Sequence, residues 1–178
     1  DSVAPDKKVE SRALVREIHE DPLFRVGNHS YTHPDFTLIP VEQARSELAT
    51  TNDSIRVALG DSCYFPRYFR FPFSRSNCVS AGIVRELGLS QVGRNIDTYD
   101  WCYASGNGTC DRPNIPVQYQ SDMIGWTLYR LQQTTGGVVL MHDLNDPKGA
   151  IAAWEDFLRA APNDPNAENI RRSIEELR

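Results

Sequence analysis

No stretch of this sequence stays apolar for anything close to the roughly 20 residues that cross a bilayer, so no membrane-spanning helix is expected. Basic residues are in deficit: 19 Lys and Arg face 24 Asp and Glu, the net charge is −5, and no basic stripe stands out. Nucleic acid is therefore not the expected partner. No pair of cysteines has C-x-x-C spacing, which argues against a zinc ribbon or a thioredoxin-like redox centre. Internal repeats and low-complexity tracts are also missing. A signal peptide is not seen, but Asp1 is not an initiator methionine. The chain reads as processed or truncated, and its silence about targeting decides nothing.

What is present suits one soluble α/β domain spanning 1–178. A chain of 178 residues, 40% hydrophobic, can bury about 70% of its unfolded surface. Four cysteines, Cys63, Cys78, Cys102 and Cys110, form an even set with three possible pairings. Cys63–Cys78 with Cys102–Cys110 is the preferred one, the first bridge adding roughly 3 kcal/mol on a loop-entropy basis. Four free thiols in a reducing compartment are the alternative. Asn-x-Ser/Thr triplets start at Asn28, Asn52 and Asn107 and matter only in a eukaryotic secretory setting.

Helical and strand-like segments alternate. Ser11 can cap a helix carrying Leu14, Val15 and Ile18 on one face. A longer helix is expected over Val41–Leu59, with Val41, Ala44, Leu48, Ile55 and Leu59 inward and Gly60 as its stop. Further helices are expected at Val79–Leu87, at Asp122–Gln133, around Ile151–Leu158 and around Ile170–Leu177. Strand candidates are Leu23–Val26, Tyr68–Phe71, Leu89–Val92 and Gly137–Met141, the last apolar enough to be buried on both sides. Such alternation implies parallel strands with helices packed outside, in an open sheet or a barrel. In either, reactive side chains gather at the carboxyl ends of strands. His29, Arg70, Asp100 and His142 all fall at or just beyond predicted strand ends.

Two of the four histidines, His29 and His33, stand four apart in Gly-Asn-His-Ser-Tyr-Thr-His-Pro. Imidazoles at this spacing can reach one first-row metal ion. Pro34 disfavours helical backbone at His33, so a single turn ending there is expected in place of a helix. Taken singly, each candidate has a plain structural reading. Arg70 could be an ion-pair partner, Asp97 and Asp100 turn or cap residues, Trp101 and Leu140 core, and His142 a polar strand end.

Taken in order, His29…His33, Arg70-Phe71-Pro72-Phe73, Asp97…Asp100-Trp101 and Leu140-Met141-His142 resemble successive motifs of the polysaccharide deacetylases, carbohydrate esterase family four. The resemblance covers roughly Leu14 to Asp143. It implies a distorted (β/α) barrel with fewer than eight strands and removal of acetyl groups from carbohydrate polymer with a divalent metal. Zinc is the first choice of ion and cobalt or nickel the alternatives. It further implies His29 and His33 as metal ligands, His142 as the general acid and Asp100 as its holder. Arg70 would orient a catalytic carboxylate, the Phe73 backbone N–H would meet the oxyanion, and Trp101 with Leu140 would wall the acetyl pocket.

Acetylated polysaccharide is the implied partner, and a secreted, periplasmic or envelope location the implied setting. Tyr31, Tyr99 and Tyr103 could stack on sugar rings. Asp35 and Asp143 could assist the metal or merely cap turns. One implied part is missing. The family's paired aspartates, base and third metal ligand, should precede His29 on an early strand, and no Asp-Asp pair occurs in the chain. The pattern is entered midway, near Arg12–Ile18, so the early strand or strands are expected to lie outside this chain. The alternatives are supply of that strand by a second chain and natural degeneracy.

Overall fold

Helix α2 shows most directly how sequence becomes structure here. It occupies Val41–Leu59 and ends where Gly60 takes a left-handed φ of 71° and donates its N–H to the Arg56 carbonyl. A glycine accepts that conformation without a Cβ penalty. Its inward face is Ala44, Leu48 and Ile55 together with two polar residues, Glu47 and Asn52. Val41 is exposed, so the apolar face is narrower than expected and partly polar.

The computed structural model describes residues 5–142, with Arg159 and Arg171. The helices expected over 151–158 and 170–177, and Asp143, lie outside the described residues. Two compact units divide the chain, Asp1–Gly93 and Arg94–Arg178.

In the first unit, α1 (Pro5–Glu20) begins well before Ser11, which is therefore interior and not a cap. Proline is suited to a helix's first turn because its missing N–H would have no helical acceptor there. The Arg16 guanidinium donates to the Ala58 carbonyl at 2.9 Å and ties α1 to the end of α2. Strand β1 (Tyr68–Phe69) pairs in parallel with β2 (Ser90–Gln91). Between them lie a short 3₁₀ turn, Pro72–Ser74, and α3 (Cys78–Glu86), whose Asn77 cap accepts from the Ser80 N–H. The core packs Phe36, Phe69 and Phe71 edge to face against Leu48, Ile83, Val84 and Leu89.

The expected strand at Leu23–Val26 is not formed. Asp21 captures the Leu23 N–H on its side chain and the Phe24 N–H on its carbonyl, making a turn. Leu23 and Phe24 stay exposed, so burial adds nothing to hold them extended. Pairing begins only at Asn28, which bridges to Phe69 in parallel.

In the second unit, β3 (Ile96–Asp97) pairs in parallel with β4 (Val139–Leu140). Two helices, α4 (Asp100–Ser105) and α5 (Met123–Gln132), lie between them in the chain. Tyr103, Cys110, Ile115 and Trp126 form the core. Burial pushes the Tyr103 phenol up to about 12, with Asp122 adding to the shift, and its hydroxyl donates to the Tyr119 carbonyl. The expectation that the last strand is buried on both sides fails. Leu140 is buried, but Val138 and Met141 beside it are exposed.

A disulfide joins Cys102 to Cys110, as preferred from sequence. Cys63 and Cys78 are free and exposed, which corrects the other half of that pairing. Cys63 lies in the Asp61 turn beyond the C-terminus of α2. Cys78 shares a groove with Val41 and Arg45 at its N-terminus. A 19-residue helix separates its two ends by roughly 28 Å, far beyond disulfide reach.

Candidate functional site

His29, His33, Arg70 and Phe73 belong to the first unit, and Asp100, Trp101, Leu140 and His142 to the second. In the first unit the two imidazoles stand 5.0 Å apart between centroids, inclined at 73°. Phe73 packs edge-on against His33 at 4.8 Å. The Nδ1 of His29 lies 2.8 Å from the Arg70 carbonyl. A carbonyl can only accept, so Nδ1 carries the proton and the ring's lone pair is on Nε2. Metal-ligating histidines are commonly fixed this way. The Arg70 side chain donates from Nη2 to the Gly93 carbonyl at 3.4 Å.

The loop between the histidines is not the helical turn expected from sequence. Ser30 and His33 both take positive φ, 70° and 58°. Three buried side chains hold it there. Asn28 accepts the Ser30 N–H and donates to Asn52 and to the Leu48 carbonyl. Glu47 on α2 accepts the N–H groups of Tyr31 and Thr32 on one oxygen and the Thr32 hydroxyl on the other, at 2.6–2.8 Å. Burial pushes the Glu47 carboxyl up, but these three donors outweigh it and leave the group below its ordinary range. Sequence reading assigned neither residue; a buried acid and amide on the inner face of α2 were the available signal. Asn28 and Asn52 are thereby closed to glycosylation, whereas Asn107 lies exposed.

Asp35 serves as a turn residue. Its oxygens take Thr37 and Arg75, and the Thr37 hydroxyl, its N–H and the guanidinium hold the carboxyl below the usual range.

In the second unit Asp100 is buried at the first position of α4. One of its oxygens accepts from Nδ1 of His142 at 2.8 Å and the other from the His142 backbone N–H. Because a carboxylate only accepts, Nδ1 is again the protonated nitrogen. Thr98, fully buried, donates its hydroxyl to the Leu140 carbonyl at 2.8 Å and accepts the Asp100 N–H. It thereby locks the end of β3 to the end of β4. Asp97 is structural, as expected, accepting from Tyr99 and Arg94. Trp101 is half-buried beneath the Arg112 guanidinium. Of the three candidate stacking tyrosines, Tyr103 is buried, Tyr99 half-buried and Tyr31 exposed.

Six non-glycine residues among those described have positive φ, and five are predicted site residues or their neighbours: Ser30, His33, Phe73, Ser74 and Tyr99. Each such backbone costs of order 1 kcal/mol or more and persists only where its surroundings enforce it. Positive-φ backbone among the described non-glycine residues thus concentrates beside the predicted site residues. The profile described as polysaccharide deacetylase matches residues 4–92, half of the chain. The chain belongs to the polysaccharide deacetylase family.

Similar proteins include a bifunctional xylanase/xylan deacetylase of Cellvibrio japonicus, 32% identical over 137 residues, which are 76% of this chain and 18% of that one. A peptidoglycan-N-acetylglucosamine deacetylase of Listeria monocytogenes is 27% identical over 143 residues, 80% of this chain and 26% of that one. Among solved structures, a family 4 carbohydrate esterase from Streptomyces lividans in complex with acetate superposes with a TM-score of 0.62 at 29% identity, covering 87% of this chain and 69% of that one. The chain spans about a fifth to a quarter of the length of these two curated relatives.

No helix among the described residues is long and apolar enough to cross a membrane. Nor do the described residues hold any group of three His, Cys, Asp or Glu side chains that could grip a metal ion. His29 and His33 fit as two ligands, with one tautomer already set. A catalytic zinc takes three protein ligands, and the third is not among the described residues.

Proposed function

We propose that this chain carries the ligand and acid portion of a metal-dependent deacetylase acting on N-acetylated carbohydrate polymer such as peptidoglycan or chitin. The observation that carries the reading is shared by two histidines, one in each unit. His29 and His142 each have Nδ1 bound by a protein acceptor, so in each neutral ring the lone pair lies on Nε2.

His29 and His33 would hold the ion, zinc or else cobalt or nickel. When bound, a divalent ion polarises the acetyl carbonyl and makes its water more acidic. His142, its Nδ1–H held by Asp100, would act from Nε2, taking up a proton there and passing it to the departing amine. The Phe73 N–H, on a left-handed backbone, would donate to the developing oxyanion. Arg70 would orient a carboxylate, and Trp101 with Leu140 would line the acetyl pocket. Parallel strand pairing and likeness to the Streptomyces esterase support placing these strands in an incomplete (β/α) barrel. The Cys102–Cys110 disulfide supports a secreted, periplasmic or envelope location.

The missing Asp-Asp pair favours a second reading, a catalytically impaired domain that retains carbohydrate binding. Without the base, hydrolysis should fall by about 10²–10⁴. The xylan-deacetylase relative favours O-acetyl xylan as an alternative substrate.

Acetate release from N-acetylchitooligosaccharide, peptidoglycan and acetylated xylan, measured with and without chelator, tests these readings together. Release abolished by chelator and restored by zinc is expected. Chelator-insensitive release refutes the metal mechanism. Glycan binding without release supports the impaired domain.

A further inference from the structure

Arg112 lies over two aromatic rings and, like Arg130 over Trp126, pairs with no carboxylate among the described residues. Its guanidinium carbon lies 4.6 Å from the Trp101 ring centroid and 5.5 Å from that of Tyr99. Arg45, Arg56, Arg75 and Arg94 each hold a carboxylate oxygen at 2.7–2.9 Å. Exposed Arg112 makes no such pair among the described residues, although Asp111 adjoins it.

Its position is nonetheless fixed. The Cys102–Cys110 disulfide ties its loop to α4. The Cys110 N–H donates to the Gln120 carbonyl at 2.7 Å and the Ile115 N–H to the Arg112 carbonyl at 2.9 Å. Asn114 donates to the Tyr99 hydroxyl at 2.8 Å. A guanidinium stacked on an aromatic face keeps its N–H donors along its edge, in a fork that matches a carboxylate. Trp101, on which it rests, directly follows Asp100, the residue that holds His142.

We infer that Arg112 is a specificity residue that receives a carboxylate of the substrate, making acidic acetylated glycan the preferred class over neutral polymer. The inference rests on the deacetylase reading for its substrate class. Two sources offer this chemistry, the lactyl ether of a muramic acid unit and a uronic acid branch on a xylan.

Calorimetric binding to the 178-residue chain distinguishes them with three probes: an N-acetylglucosamine–N-acetylmuramic acid tetrasaccharide, an acetylated glucuronoxylan oligosaccharide and neutral chitotetraose. Wild type is expected to prefer one acidic probe, less so as salt rises, and that probe names the source. Arg112→Gln should weaken it about tenfold, as loss of a charge-assisted hydrogen bond does, and leave chitotetraose unchanged. Arg112→Lys should recover only part, lacking the planar fork.

Equal weakening of all three probes, with a changed near-ultraviolet dichroism of tryptophan, means that Arg112 merely packs Trp101 and overturns the inference. So does a wild type with no acidic preference, or one that binds no probe. A wild type that shows the Arg112-dependent preference but releases no acetate, even with zinc, upholds the inference and favours the catalytically impaired domain over the active deacetylase.

Discussion

Replacing Glu47 with alanine is expected to lower the stability of the first unit by about 3 kcal/mol, roughly 1 kcal/mol for each of the three hydrogen bonds it accepts. Tyr31 and Thr32 are exposed, so water can reach their freed N–H groups, and the cost per bond stays at the ordinary value of about 1 kcal/mol, below the range for charged acceptors. Glutamine should behave differently. Both backbone donors converge on Oε2, where an amide oxygen can replace it, and the amide NH₂ can face the Thr32 hydroxyl, which also accepts. Glu47→Gln should therefore cost only about 1 kcal/mol. Urea unfolding at neutral pH measures both. Cobalt binding, followed by its visible absorption, should weaken more in the alanine variant, because the loop carrying His33 loses its anchor.

The folded-state pKa of Glu47 lies below its ordinary value, which fixes the sign of the pH effect. Its contribution is complete above the unfolded carboxylate's pKa, about 4.3, and is lost as pH falls through the lower folded value. Glu47→Gln should remove that acid-side loss. Equal urea midpoints for Glu47→Ala and wild type, or a glutamine variant as damaged as the alanine one, would refute the reasoning.

Thr98→Val should cost about 2 kcal/mol, because it removes the donor to Leu140 and the acceptor for Asp100 inside a fully buried site; thermal melting reads this. Asp100→Asn places an NH₂ opposite one of two His142 donors, so ¹⁵N NMR of the ring should lose its Nδ1–H tautomer. Replacing Cys102 and Cys110 with serine, or adding reductant, should cost about 2–3 kcal/mol on the loop-entropy account for an eight-residue separation. Serine at Cys63 and Cys78, both exposed thiols, should leave the melting temperature unchanged.

Helix α2 was legible to the residue because a long periodic segment closed by glycine leaves few alternatives. Parallel pairing was likewise legible from alternation alone. Local patterns misled where competing contacts were distant or unusually close. Leu23–Val26 has strand-like composition, yet the Asp21 turn and lack of burial leave it unpaired. The His29–His33 spacing suggested a helical turn, but Glu47 on α2, and the adjoining Asn28 braced by Asn52 on α2, impose a left-handed backbone.

Residue identity and order alone determined the family, the candidate ligands and acid, and the lack of an Asp-Asp pair, because those reside in chemistry and spacing. Only the tertiary structure decided which nitrogen of His29 and His142 holds a proton, which cysteines join, and which asparagines are shut from solvent. Each of these depends on an atom supplied by a segment distant in sequence or on the exact path of a turn. One-dimensional spacing does not encode such a distance; packing sets it.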